Sequence, residues 1–203
     1  MSHPHRRGGS YWKRDTAIAS RWLHTYLSMV SFAIVLFFAV TGLTLNHQEW
    51  FSGMARTQML KGKVDPKWLS GKDVAKLEIV EYLRKTHGLT SAMSDFRVDD
   101  SQVTVSFKGP GYSADAFLDR TAGSYELTEN RQGFVAVIND LHKGRDSGKA
   151  WSAVIDLSAG LMTLVSLTGL VLIFFLQKRK TWGLIAVGIG ALLCWLVYAI
   201  WVP

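Results

Sequence analysis

Three histidines stand where long apolar stretches begin or end, and imidazole is the side chain best suited to hold a metal or a haem there. His24 opens the first stretch, His47 closes it, and His142 precedes the second within Leu141-His142-Lys143-Gly144. At about 1.5 Å of rise per residue, His24 and His47 would lie about 35 Å apart on one helix, so they cannot share a cofactor. If the chain crosses a membrane and returns, His47 and His142 fall on the same side of it. Two imidazoles from facing helices, one on each ring face, are what a b-type haem takes as axial ligands. Arg56, Lys143, Arg145 and Lys149 lie nearby in sequence and could neutralise propionates. Asp156, about a turn and a half into the second stretch, is costly at an interface and calls for a partner. It could orient a ligand histidine through the free ring N–H. The same histidines also fit a plainer role as caps or anchors at the headgroup boundary.

His24 has no second histidine on its half of any stretch, so an inner haem would take a ligand from another chain, such as His24 of a symmetric copy. His3 and His5 sit in a polar tail and are poor ligand candidates. His87 ends a predicted helix, where the dipole favours it.

The elements that would position these groups follow from composition. The 203 residues are 48% hydrophobic and only 19% charged, with a net charge of +7 and one cysteine. Residues 22–48, 157–177 and 181–203 contain no Asp, Glu, Lys or Arg. Each reaches the roughly 20 residues that cross a bilayer core as a helix. This excludes a soluble enzyme. The lone Cys194 lies in the last apolar stretch, which excludes a disulfide scaffold, a zinc ribbon and a CxxC redox motif. The spans are placed at 22–47, 151–177 and 182–203. The first is too long for a signal-peptide core and reads as an uncleaved anchor.

Charge sets the expected orientation. Arg6, Arg7, Lys13, Arg14 and Arg21 face only Asp15 ahead of the first span, and Lys178-Arg179-Lys180 links the second to the third. Basic flanks stay inside, so the tail (1–21) and the link (178–181) are expected in the cytoplasm, with residues 48–150 and the C-terminus outside. The middle section is nearly neutral, with fifteen basic and fourteen acidic residues. The basic excess therefore meets lipid, and no nucleic-acid partner is expected.

Residues 48–150 read as a small α+β layer between the first two spans. A helix is expected over 72–87, capped by Ser70 with Asp73 three residues on. Its apolar face would be Val74, Leu77, Val80, Leu83 and Tyr82, with Gly88 just past its end. Strands are expected at 96–98, 102–108, 112–118 and 124–127, with Val103, Val105 and Phe107 pointing inward. Gly109-Pro110-Gly111 and Asp119-Arg120-Thr121-Ala122-Gly123 supply turns. Residues 135–142 read as a helix returning to the membrane. No nucleophile elbow or phosphate loop occurs, so no catalytic residue is assigned.

The first two spans also share an echo: Phe38-Ala39-Val40-Thr41-Gly42-Leu43-Thr44-Leu45 against Val165-Ser166-Leu167-Thr168-Gly169-Leu170-Val171-Leu172. A Thr-Gly step removes bulk and would admit a flat cofactor or a close neighbour.

Taken together, Arg21-Trp22-Leu23-His24-Thr25-Tyr26-Leu27-Ser28-Met29, Thr41-Gly42-Leu43-Thr44-Leu45-Asn46-His47 and Leu141-His142-Lys143-Gly144 resemble the motifs of PepSY-associated transmembrane proteins. The segment from Asp119 to Gly123 is similar to the PepSY turn, with an inserted alanine. The resemblance covers nearly the whole chain and implies a bacterial inner-membrane protein of the haem-containing ferric-siderophore reductase type, in a short three-span form. It implies His47 and His142 as haem-iron ligands and His24 as an inner family position. One haem b per chain is expected, with a second shared between chains as an option. The chain would work as a homo-oligomer or beside a membrane or periplasmic redox subunit, passing electrons to an acceptor such as a ferric siderophore. The alternative is a haem-free assembly subunit that docks a periplasmic partner or regulates a protease. A transporter is disfavoured, since three spans carry one acid and no broken-helix pair.

Overall fold

The computed structural model describes residues 9–71, 74–176 and 179–203. His3, His5, Arg6, Arg7, Lys72, Asp73 and Lys178 lie outside the described residues. Among the described residues the order is α1 (Gly9–Asn46), β1 (Arg56–Lys63), α2 (Lys76–His87), β2 (Ala92–Val98), β3 (Gln102–Gly109), β4 (Tyr112–Asp119), β5 (Ser124–Arg131), α3 (Phe134–Lys143), α4 (Gly148–Phe175) and α5 (Lys180–Trp201). Short 3-10 turns lie at Gln48–Met54 and Pro66–Leu69. The chain divides into two units, Phe37–Ile155 and the pair of segments Met1–Leu36 with Asp156–Pro203, the division falling inside α1 and α4.

Three described helices are long and apolar enough to cross a membrane: Tyr11–Asn46, Gly148–Phe175 and Lys180–Trp201. Their apolar side chains face outward, as lipid-facing residues must. α1 begins well ahead of the apolar run, because residues such as Lys13, Arg14 and Arg21 continue a helix without cost.

The unit Phe37–Ile155 holds an antiparallel sheet in the order β1-β5-β4-β3-β2. The alternation expected in β3 is present, with Val103, Val105 and Phe107 fully buried. They meet Ala114, Ala116 and Leu118 of β4, Tyr125 and Leu127 of β5, and Ile79, Val80 and Leu83 of α2 in one core. β2 forms one edge, with a register shift between Met93 and Asp95. In the turn from β4 to β5, Asp119 Oδ1 accepts the N–H groups of Thr121 and Ala122 at 2.7 and 2.8 Å. Those two bonds hold the Asp119 carboxyl below its ordinary range. Gly123 then supplies the left-handed residue that closes the turn.

Three expectations need correction. Ser70 does not cap the main helix: it ends the Pro66–Leu69 turn, and its hydroxyl donates to Pro66 O. That turn is capped instead by Asp65, which accepts Lys67 N–H, and it drives Leu69 into the core. The helix starts at Lys76 behind Ala75, and its buried face runs through Ile79, Val80 and Leu83, while Leu77 is 69% exposed. The third correction is β1, an additional edge strand that pairs with β5 throughout. Its sequence is mostly polar. Gly62 faces Tyr125 across the pair, and the phenol fills the space where a Cβ would stand. An aromatic ring covering an edge glycine in this way compensates for the missing side chain.

Candidate functional site

In the unit Phe37–Ile155, α3 lies on the last turns of α1 through two polar rungs. His142 Nδ1 meets Thr41 Oγ1 at 2.6 Å, and Thr44 Oγ1 donates to Asn139 Oδ1 at 2.6 Å. Thr41 and Thr44 are three apart on one helix, as are Asn139 and His142 on the other, so each pair shares a face. Thr41 and Asn139 are buried, 2% and 5% exposed, while Thr44 and His142 are half-buried. Phe38 meets the His142 ring edge-on, with centroids 4.9 Å apart.

The Leu141-His142-Lys143-Gly144 element ends α3. Gly144 adopts the left-handed conformation (φ 69°), and its N–H returns to the last turn. This places His142 and Lys143 where the helix dipole favours positive charge. Leu141 O accepts Trp151 Nε1 at 2.8 Å, which joins the end of α3 to the start of α4. Burial, and after it the neighbouring Lys143 charge, hold the His142 imidazole below its ordinary pKa. Both causes favour the neutral imidazole, which has a lone pair on one ring nitrogen.

His47 sits just past α1 at the head of the Gln48–Met54 turn. Trp50 stacks on it, with ring centroids 4.0 Å apart and planes 7° from parallel. His47 Nδ1 is 3.3 Å from Glu49 Oε1. The His47 and His142 rings thus have separate partners, Glu49 and Trp50 for one, Thr41 and Phe38 for the other. Beside them a polar pocket of about 410 Å³ is lined by residues including Gln48, Glu49, Asn130, Asp140, Lys143 and Arg145. Arg145 and Lys143 are exposed at its rim.

In the other unit, His24 of α1 lies against α4. Its Nδ1 is 3.1 Å from Val165 O and 3.1 Å from Thr168 Oγ1. A Cβ on Gly169 would stand 3.1 Å from the His24 ring. Asp156 belongs to this unit and is exposed on α4. The partners of the histidines, Thr41, Glu49 and Thr168, were not singled out as such in the sequence. The Thr-Gly echo was the one visible signal for two of them.

The nitrogen used by each histidine separates the candidates from the rest. Among the described residues, His24, His47 and His142 each engage an oxygen through Nδ1, and their Nε2 atoms have no hydrogen-bond partner. His87 does the reverse, bonding Tyr125 Oη through Nε2 at 2.8 Å, as a structural histidine. A ligand imidazole is held by an oxygen at one nitrogen and donates from the other. No group of three or more His, Cys, Asp or Glu side chains gathers as a metal site among the described residues. An axial haem pair needs only two imidazoles, so the donor chemistry of these residues fits such a group.

The family model for PepSY_TM-like proteins matches residues 18–203. The chain belongs to the PepSY_TM-like family. No curated protein and no solved structure matches it. The PepSY_TM-like match takes in the first candidate span from Ile18 onward, the other two spans, the sheet and each of the three histidines described above, and it leaves out the basic tail and the first turns of α1.

Proposed function

We propose that this PepSY_TM-like protein is a b-type haem electron-transfer subunit of the bacterial inner membrane. The sheet would be its PepSY-like domain on the periplasmic side, and electrons would leave there to an acceptor such as a ferric siderophore. The observation that carries this is the common state of His47 and His142, with Nδ1 engaged and Nε2 free. When bound, haem supplies reversible one-electron chemistry at iron. His47 and His142 would hold it through Nε2. Glu49 and Thr41 would keep the Nδ1 protons in place and fix ring orientation, and the carboxylate raises the donor strength of His47. Lys143 and Arg145 would neutralise propionates at the membrane edge. His24 is the corresponding inner position.

Purified protein, expressed with haem supplied, should show a Soret band and a reduced b-type α band. Both should be lost in His47→Ala and in His142→Ala. A colourless preparation would refute the assignment.

A second reading, a haem-free docking subunit, has one observation in its favour. The sheet carries an open pocket of about 730 Å³ between Lys61, Lys63, Phe117 and Glu126, with Phe117 46% exposed. Under that reading the two histidine variants stay functional, while Phe117→Asp abolishes partner binding.

A further inference from the structure

The Thr-Gly echo acquires a use when the histidines are placed on it. His142 lies on Thr41-Gly42, where a Cβ on Gly42 would stand 3.8 Å from its Cε1. His24 lies on Thr168-Gly169, where the corresponding distance is 3.1 Å. In both cases the same ring carbon is over the glycine and the same ring nitrogen is on the threonine. Each threonine hydroxyl is also turned back to its own helix: Thr41 Oγ1 to Phe37 O at 2.6 Å, and Thr168 Oγ1 to Leu164 O at 2.9 Å.

A hydroxyl has one proton and two lone pairs. Once that proton goes to the carbonyl four residues back, the oxygen can only accept from an incoming imidazole. For His24 the second partner removes any ambiguity. Val165 O has no proton to give, so Nδ1 must carry one. The seat at Thr41 repeats the threonine half of this geometry around His142, where the hydroxyl turned back to Phe37 O leaves a lone pair for Nδ1–H. We propose that Thr41 is the positioning residue that sets the proton of His142 on Nδ1, and that Val165 O, with Thr168 beside it, holds that of His24 there, leaving Nε2 as the donor atom of each. Gly169 lets the His24 ring lie close, since a Cβ there would press on it, whereas a Cβ at Gly42 would stand in ordinary contact with His142. Two related segments of different helices thus each hold a histidine in one tautomer. What the tautomer is for rests on the haem proposal; the tautomer itself does not.

The test separates the two. Full-length protein is labelled with ¹⁵N-histidine and reconstituted in nanodiscs without haem, and ring-nitrogen chemical shifts report the tautomers. Wild type should show the Nδ1–H form at both His142 and His24. Thr41→Val should move His142 to the Nε2–H form and leave His24 unchanged, while Thr41→Ser should retain the wild-type signal. Thr168→Val should leave His24 in the Nδ1–H form, because Val165 O remains. A His142 that is Nε2–H in wild type, or one that Thr41→Val does not move in a variant that still melts cooperatively, would overturn the proposal. On haem-loaded protein, Thr41→Val should shift the midpoint potential and Thr41→Ser should not. Failure to take up haem would instead remove the haem proposal and leave the tautomer result standing.

Discussion

The rung between Thr44 and Asn139 gives a quantitative test of how α3 is held. Thr44→Val removes one hydroxyl and keeps the side-chain shape. Asn139 is 5% exposed, and its Oδ1 accepts from that hydroxyl at 2.6 Å. Its amide also reaches Thr44 O, but at 3.5 Å that contact is too long to compensate. A buried acceptor left without its donor costs about 1–3 kcal/mol. At 1.36 kcal/mol per factor of ten, this is about a 5- to 160-fold shift in the opening equilibrium of α3. Hydrogen exchange of the α3 amides in nanodiscs measures this directly, with β3 amides as an internal control for global unfolding. Exchange in α3 should accelerate within that range while β3 stays near wild type. The double variant Thr44→Val with Asn139→Leu should recover part of the loss, since replacing both partners by apolar groups costs less than orphaning one. Wild-type exchange in the single variant, or a double variant looser than the single one, would refute the idea that the bond to buried Asn139 holds this helix.

Two further outcomes follow from the sheet. Gly62→Val drives a branched side chain into the Tyr125 phenol on the buried face, and overpacking of this kind costs about 1–3 kcal/mol, visible as a lowered melting temperature. Tyr112 is pushed up to about 12 from 10.0, by burial first and then by the hydrogen bond and charge of Glu129. Between those values the unfolded chain has lost a proton that the folded chain keeps, so stability should fall as pH rises from 10 toward 12. Ultraviolet phenolate absorbance should show the Tyr112 step at the upper end of that window, and Tyr112→Phe should flatten the decline.

Local periodicity made much of the architecture legible. Charge-free runs marked the apolar helices, alternation marked β3, and glycines at positive φ marked the end of α2 and the turn after β4. What escaped was set by tertiary partners. β1 is polar and glycine-containing and is a strand because β5 pairs with it and Tyr125 covers it. Ser70 looked like a cap because Asp73 follows it, but the proline at position 66 had already committed the chain to a tighter turn. The phase of α2 turned on Ile79 rather than Leu77, which a five-residue periodic match could not discriminate. At the site, residue type alone picked out His24, His47 and His142. Their partners lay about a hundred or more residues away in two of the three cases, and only the repeated Thr-Gly step betrayed them.

The two edges of the sheet differ in chemistry but agree in effect. An unpaired strand edge is a template onto which another chain can add. β2 breaks its own edge with the shift between Met93 and Asp95, and beyond the shift Asp95 and Arg97 pair along the strand at 3.5 Å. β1 instead carries Arg56 and Lys63, whose charges repel a second copy of the same strand, while Lys61 pairs with Glu126 of β5. Confined to a membrane surface, copies of this domain would meet often, and strand-to-strand fusion is the accident most to be feared there. Guarded edges keep such encounters reversible and leave the face of the sheet that carries Phe117, opposite α2, as the surface open to a partner.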